Sequence, residues 1–119
     1  MSLQPQVLSV QKETDAVSLE LLVSRDLAYF RGHFPGLPIL PGVVQVDWAI
    51  RFAQDHLGIP ADRFVSLKAL KFSAPVGPDT RLDLRLNWKP ETRRLEFAYS
   101  SGTRKYSSGQ AVFSGTAVQ

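Results

Sequence analysis

One helical segment stands alone between two regions of strand pattern, and it limits the folds open to this chain. Apolar side chains recur every three or four positions over residues 42–57, and Gly58 and Pro60 follow as helix-ending signals. A lone helix must bury its apolar face against a sheet. The sequence therefore predicts an α+β fold in a single domain, residues 1–119.

The rest of the chain alternates between apolar and polar side chains, as half-buried strands do. Strands are predicted twice between Val7 and Val23, and again at 64–72, 81–88, 93–101 and 105–118. The segment 24–41, rich in glycine and proline, is predicted to be a loop. This order predicts a curled antiparallel sheet wrapped around one helix. Because one helix covers few strands, we expect a dimer that continues the sheet.

Composition excludes several classes of protein. The chain has no cysteine and two histidines, which excludes a disulfide framework and argues against a structural zinc site. Neither a signal peptide nor an apolar run of about 20 residues is evident, so we expect a cytoplasmic protein without a membrane span.

The net charge is +3, and part of the positive charge flanks the last predicted hairpin, at Arg93, Arg94, Arg104 and Lys105. These residues form either a solvated face or a docking surface for an acidic macromolecule. Nucleic acid is not favoured as a partner, because no binding motif accompanies them.

Asp47 occupies an unusual position in the predicted helix. The predicted apolar stripe consists of Val43, Val46, Ile50, Ala53 and Leu57. Asp47 falls on or just beside that stripe. It either reaches water at the edge of the stripe or is a desolvated acid able to hold a proton near neutral pH.

The chain ahead of the helix is stiff and leaves the helix start uncapped. Pro35, Pro38 and Pro41 each fix a φ angle, so the loop that carries His33 is expected to take one shape. His33 is either an ordinary surface histidine or a side chain held in place for chemistry. No Ser, Thr, Asp or Asn precedes Gly42 as a cap, so the free N–H groups face either water or an anionic oxygen.

Two motifs in the middle of the chain have a distinctive spacing. The first, HFPGLPILPGVVQVD, starts at His33 and ends fourteen residues later at Asp47; the second, LKALKFSAPVGPDTRLDL, covers 67–84. Together they resemble the signature of the hot-dog-fold 3-hydroxyacyl-acyl-carrier-protein dehydratases of the FabA/FabZ type. The run ILPGVVQVDWA and the compact length look most similar to the small ApeI-like dehydratases of aryl-polyene clusters.

The resemblance implies a reaction and a role for three residues. The reaction is the dehydration of a 3-hydroxyacyl thioester to a trans-2-enoyl thioester, in fatty acid or aryl-polyene-type lipid biosynthesis. His33 would remove the proton next to the thioester carbonyl, and Asp47 of the other subunit would handle the departing 3-hydroxyl. The main-chain N–H of Gly42 would polarise the carbonyl.

The resemblance also implies partners. The substrate would arrive on the phosphopantetheine of an acyl carrier protein, with no metal or redox cofactor, and the active sites would lie between the subunits of a homodimer. The substrate-binding residues would be Phe34, Pro41, Val43, Val46 and Ile50.

Two residues bear on the match to the family. The acid is aspartate, as in the FabA-like branch, and Arg51 stands where the family often has glutamine. Two alternatives remain open: a hot-dog acyl thioesterase, against which the HFPG motif argues, and a non-catalytic acyl-binding hot-dog domain.

Overall fold

A six-stranded antiparallel sheet and one long helix make up most of the molecule. The computed structural model describes residues 3–30, 39–59 and 64–115. The strands are β1 (Gln6–Lys12), β2 (Ala16–Val23), β3 (Phe64–Phe72), β4 (Thr80–Lys89), β5 (Arg94–Ser101) and β6 (Arg104–Phe113). The helix α1 spans Gly42–Leu57, and a short 3-10 turn spans Ala28–Phe30. The α+β prediction and the predicted helix bounds are confirmed.

The sheet order is β1-β2-β4-β5-β6-β3, so β1 and β3 are the two edges. Every pair is antiparallel, and β3 carries a bulge between Lys68 and Lys71 in which Ala69 has a φ of 55°. Bulges at an edge bend the strand and limit further pairing. The helix packs mainly against β2, β4 and β5, and its first residue, Gly42, lies close to Phe72 at the end of β3.

The core lies between α1 and the inner face of the sheet. Leu82, Leu84 and Leu86 of β4 are fully buried, which confirms the alternation predicted for this strand. Each such leucine contributes about 1.5–3 kcal/mol by leaving water. Trp48 and Phe52 of α1 belong to the same buried cluster as these leucines. The predicted apolar stripe did not include them.

The predicted apolar stripe of α1 coincides with the buried face of the helix only at Val46 and Ala53. The buried residues of the helix are Val44, Gln45, Val46, Trp48, Ala49, Phe52 and Ala53. At about 100° per residue, Val43 lies on the opposite side, and its exposure is 76%. Ile50 is only partly buried. The bulk of Trp48 and Phe52 decides which face packs on the sheet.

Two smaller predictions are corrected at the last hairpin. The final strand ends at Phe113 rather than 118, and residues 116–119 lie outside the described ranges. Arg94 pairs with Val112 while Arg104 pairs with Ser101, so the four basic residues are at opposite ends of the hairpin. They do not form one patch. No helix in the described ranges is long and apolar enough to cross a membrane.

Candidate active site

The start of α1 has no side-chain cap, as the sequence predicted. Pro41 is the N-cap residue, with φ −60° and ψ 144°, and it makes no side-chain hydrogen bond. Its carbonyl accepts from the N–H groups of Val44 and Gln45 at 3.1 and 3.3 Å. No residue of the described ranges accepts from the N–H groups of Gly42 or Val43. Two donors at the positive end of the helix dipole therefore remain for another acceptor.

Gly42 borders a groove of about 430 Å³ at this helix start. The groove is lined by Ile39, Leu40, Gly42, Gln45, Phe72, Ser73, Ala74 and Pro75. A Cβ atom on Gly42 would lie 2.8 Å from two ring carbons of Phe72. Glycine therefore allows the end of β3 to approach the helix start closely, which the sequence did not reveal.

Asp47 lies on the side of α1 that faces away from the sheet. Its side chain is 48% exposed, and its Oδ2 atom accepts a hydrogen bond from Nε of Arg51 at 2.8 Å. Within one subunit, Asp47 thus reaches solvent at the edge of the helix, which was one of the two interpretations of its position.

The ion pair also affects the ionisation of Arg51. The hydrogen bond from its guanidinium to Asp47, together with the carboxylate charge, raises the pKa of Arg51 above its ordinary value. Both partners are largely exposed, so the pair contributes little to the stability of the fold.

His33 and Phe34 fall in 31–38, outside the described residues, so their predicted roles stay predictions. The chain on both sides of that segment is held to the connection between β3 and β4. On one side, Arg25 donates from its main-chain N–H and from Nε to the carboxylate of Asp79, at 3.2 and 2.7 Å. On the other side, the N–H of Leu40 donates to the carbonyl of Val76 at 2.8 Å.

The structure separates the predicted substrate-binding residues. Val46 is buried, and Pro41 is partly buried at the helix start. Val43 and Ile50 lie with Asp47 on the outer side of α1. The helix therefore buries one apolar face on its own sheet, while on the side of Asp47 the side chain of Val43 is exposed and that of Ile50 is only partly buried.

A buried polar cluster links the helix start to β5 and β6. It joins Gln45 to Leu40, Ser107 and Tyr99. Sequence reasoning did not find it, since Gln45 and Ser107 are 62 residues apart. The available signal was the position of Gln45, which shares one face of the helix with the apolar residues Trp48 and Ala49, three and four positions later.

Known proteins resemble this chain along most of its length. A family profile described as ApeI-like, ApeI dehydratase, matches residues 9–110. The chain belongs to the ApeI-like dehydratase family. This membership confirms the resemblance that the HFPG and PVGPD motifs indicated.

Two solved structures support the same fold for this ApeI-like chain. One is a chain of the dehydratase heterocomplex ApeI:P from Xenorhabdus doucetiae, with 32% identity and a TM-score of 0.87 over 94% of this chain and 99% of that chain. The other is an uncharacterised protein from Erwinia carotovora subsp. atroseptica, with 36% identity and a TM-score of 0.80 over 95% of this chain and 98% of that chain. The predicted hot-dog fold is confirmed.

One curated relative is named after its enzymatic activity. The 3-hydroxyacyl-[acyl-carrier-protein] dehydratase FabZ of Erythrobacter litoralis is 32% identical over 76% of this chain and 66% of its own length. The ApeI-like chain spans about half to two thirds of the length of such curated relatives.

Proposed function

We propose that this protein removes water from 3-hydroxyacyl thioesters, carried on acyl carrier protein, to give trans-2-enoyl thioesters. The pathway class is fatty acid or aryl-polyene-type lipid biosynthesis. Support comes from membership of the ApeI-like dehydratase family and from the names of FabZ relatives.

The uncapped start of α1 is the observation that carries the proposal. A thioester carbonyl placed in the groove beside Gly42 would accept hydrogen bonds from the main-chain N–H groups of Gly42 and Val43. Negative charge develops on that oxygen when the neighbouring carbon loses its proton. Donors that are already oriented lower the barrier most, because they need no rearrangement at the moment of reaction.

The reaction needs two further groups, and the family pattern supplies both. His33 would take the proton from C2, and the C3–O bond would then break as the C2=C3 double bond forms. Asp47 of the partner subunit would assist the departing hydroxyl, which leaves as water. Arg51, 2.8 Å from Asp47, would have to release or share the carboxylate for it to donate a proton.

A homodimer through β3 would bring the two subunits' groups together. The β3 edge is unpaired in the described chain, and Phe64, Leu67, Leu70 and Phe72 of this strand are exposed. The outer face of α1 adds Val43 and Ile50 beside Asp47. A second copy would continue the sheet and cover both apolar regions, and so remove an edge prone to unwanted pairing.

The carrier protein would dock near Lys71 and Lys105. These lysines border a groove of about 300 Å³ whose wall includes Tyr99 and Ser107, two residues of the cluster at the helix start. Carrier proteins present acidic surfaces, and complementary charge speeds their association. The pair at Arg93 and Arg94 lies at the other end of the hairpin.

A non-catalytic acyl-binding domain is the second candidate, because Arg51 holds Asp47 in an ion pair. One experiment separates the two candidates. The protein is incubated with a 3-hydroxyacyl carrier-protein thioester, and the mass of the carrier is followed. Loss of one water from the carrier supports the dehydratase, and an unchanged mass supports the binding domain. Release of the free carrier thiol would instead indicate a thioesterase.

A further inference from the structure

Gln45 is a buried amide beside the helix start, and the proposed reaction assigns it no role. It is 3% exposed. Its Nε2 atom donates to the carbonyl of Leu40 at 3.3 Å, and its Oε1 atom accepts from the hydroxyl of Ser107 at 2.6 Å. A carbonyl can only accept, so the orientation of the Gln45 amide is fixed. Gln45 therefore bridges β6 and the residue that precedes Pro41.

The hydrogen bond from Gln45 means that both polar groups of the Leu40 main chain have a partner. The N–H of Leu40 donates to Val76, and its carbonyl accepts from Gln45, so both polar groups of its main chain are held. Pro41 follows with its φ angle set by the ring, at −60°. Little freedom is left in the chain that leads to Gly42, and the direction of the Gly42 N–H is set by these contacts.

Tyr99 holds the other end of the first helical turn. Its hydroxyl donates to the main-chain carbonyl of Gln45 at 2.7 Å. Burial raises the pKa of Tyr99 well above its ordinary value, and the charge of Asp47 raises it further. Tyr99 thus remains a neutral donor, and the turn that carries Gly42 is attached to the sheet on both of its sides.

We propose that Gln45 is a positioning residue, which orients the main-chain N–H of Gly42 toward the thioester oxygen. This inference rests on the proposed dehydratase function. Oriented donors stabilise the developing charge without rearrangement, and a displacement of about 1 Å can lower a rate by about a hundredfold. Gln45 touches no reacting atom and acts through Leu40 and Pro41.

Gln45→Met is the first test, because methionine has similar length and no hydrogen-bonding amide. We expect kcat to fall by about tenfold or more while KM changes by less than about threefold, since the donors act most strongly in the transition state. Ser107→Ala is expected to lower kcat by a smaller factor in the same direction. Ser18→Ala is the matched control, because Ser18 accepts from Arg85 at 2.9 Å on the outer face of the sheet, opposite the face that packs on α1.

Gln45→Glu gives a second readout that a purely structural role would not produce. An ionised glutamate has no donor for the Leu40 carbonyl, whereas a protonated one has a donor for Leu40 and an acceptor for Ser107. Burial favours the protonated form. The activity of Gln45→Glu, divided by that of the unsubstituted protein at each pH, should therefore rise as the pH falls.

Dividing the two activities at each pH cancels the pH dependence that comes from titratable groups present in both proteins. Among the described residues, Tyr99 of β5 contacts Gln45 directly, Asp47 lies two residues along α1, and Lys71 and Lys105 border the neighbouring groove. The Gln45→Met ratio should stay flat with pH, which makes it the matched control for Gln45→Glu.

Four results would overturn the inference. The first is an unchanged kcat in Gln45→Met or, where that variant does not fold, in Ser107→Ala. The second is an equal loss of kcat in Ser18→Ala. The third is a ratio of Gln45→Glu activity to unsubstituted activity that does not rise at low pH. The fourth, no turnover by the unsubstituted protein, would overturn the dehydratase proposal together with this one.

Discussion

At the scale of single residues, Gly42 illustrates how close packing and chemistry meet at one position. A Cβ atom at this position would lie 2.8 Å from the ring of Phe72, and no residue of the described ranges accepts from its N–H. A side chain at this position has no room unless the ring moves. Glycine therefore allows the approach of β3, and under the proposed function it would also allow an oxygen to reach the N–H.

Gly42→Ala tests this double role. The new methyl group would lie 2.8 Å from the Phe72 ring, so the ring or the helix start must shift. We expect dehydration to fall by about tenfold to a hundredfold, because a small displacement of oriented donors is costly. Phe72→Ala in the same chain removes the clash, so the double variant should recover part of the loss. A single variant with full activity would show that the close contact has no functional consequence.

At the scale of elements, Asp79 ties the turn before β4 to the end of β2. The N–H of Asp79 donates to Val23 at 2.6 Å, and its carboxylate accepts from Arg25. Its φ of 61° lies in the left-handed region, which aspartate and asparagine tolerate better than most residues. The PVGPD motif thus holds the base of the loop that leads toward His33.

The stability of this junction should depend on pH. The hydrogen bonds from the Arg25 side chain and main chain lower the pKa of Asp79 below its usual range. The stabilisation is therefore complete above the ordinary aspartate pKa of about 4 and is lost as the pH falls through the lower native value. The denaturation midpoint should exceed that of Asp79→Asn at pH 7 and approach it at low pH. A difference that does not vary with pH would contradict the assignment.

The same scale shows what the sequence could predict. The strict alternation of β4 and the glycine and proline after α1 were local signals, and they predicted those elements correctly. The buried face of α1 was predicted only in part, with Val46 and Ala53 correct and Trp48 and Phe52 missed, because apolar side chains occur on both sides of the helix. Periodicity alone does not decide between a face for the chain's own sheet and a face for a second subunit.

No local sequence pattern could predict contacts between residues that are far apart in the sequence. The approach of Phe72 to Gly42 and the bond between Ser107 and Gln45 depend on how β3 and β6 pass the helix start. The uncapped start itself was predictable, because it follows from missing side chains next to Gly42. The uncapped helix start was thus predicted and the contacts that support it were missed, while the roles of Gly42 and Asp47 in catalysis stay predictions.

At the scale of the whole molecule, the two sheet edges differ in their surroundings. The β3 edge lies on the side of the Gly42 groove, whereas β1 lies at the far end of the sheet. If the subunits pair through β3, a charge there should disfavour the dimer, since it would be buried without a partner. A charge on β1 should have little effect.

Leu70→Lys and Val10→Lys form a matched pair for this test, because both residues are 42% exposed in the single chain. Leu70 lies on β3 and Val10 on β1. Size-exclusion chromatography with light scattering should give a monomer, or a much weaker dimer, for Leu70→Lys and an unchanged dimer for Val10→Lys. The reverse result would place the interface on β1.

Subunit complementation tests most directly whether a dehydratase site is shared between two chains. His33→Ala and Asp47→Asn should each be nearly inactive alone. When equal amounts are refolded together, half of the dimers are mixed, and each mixed dimer has one complete site, so about a quarter of the unsubstituted activity should return. Mixtures that stay inactive, although mixed dimers form, would contradict a site that combines His33 of one subunit with Asp47 of its partner.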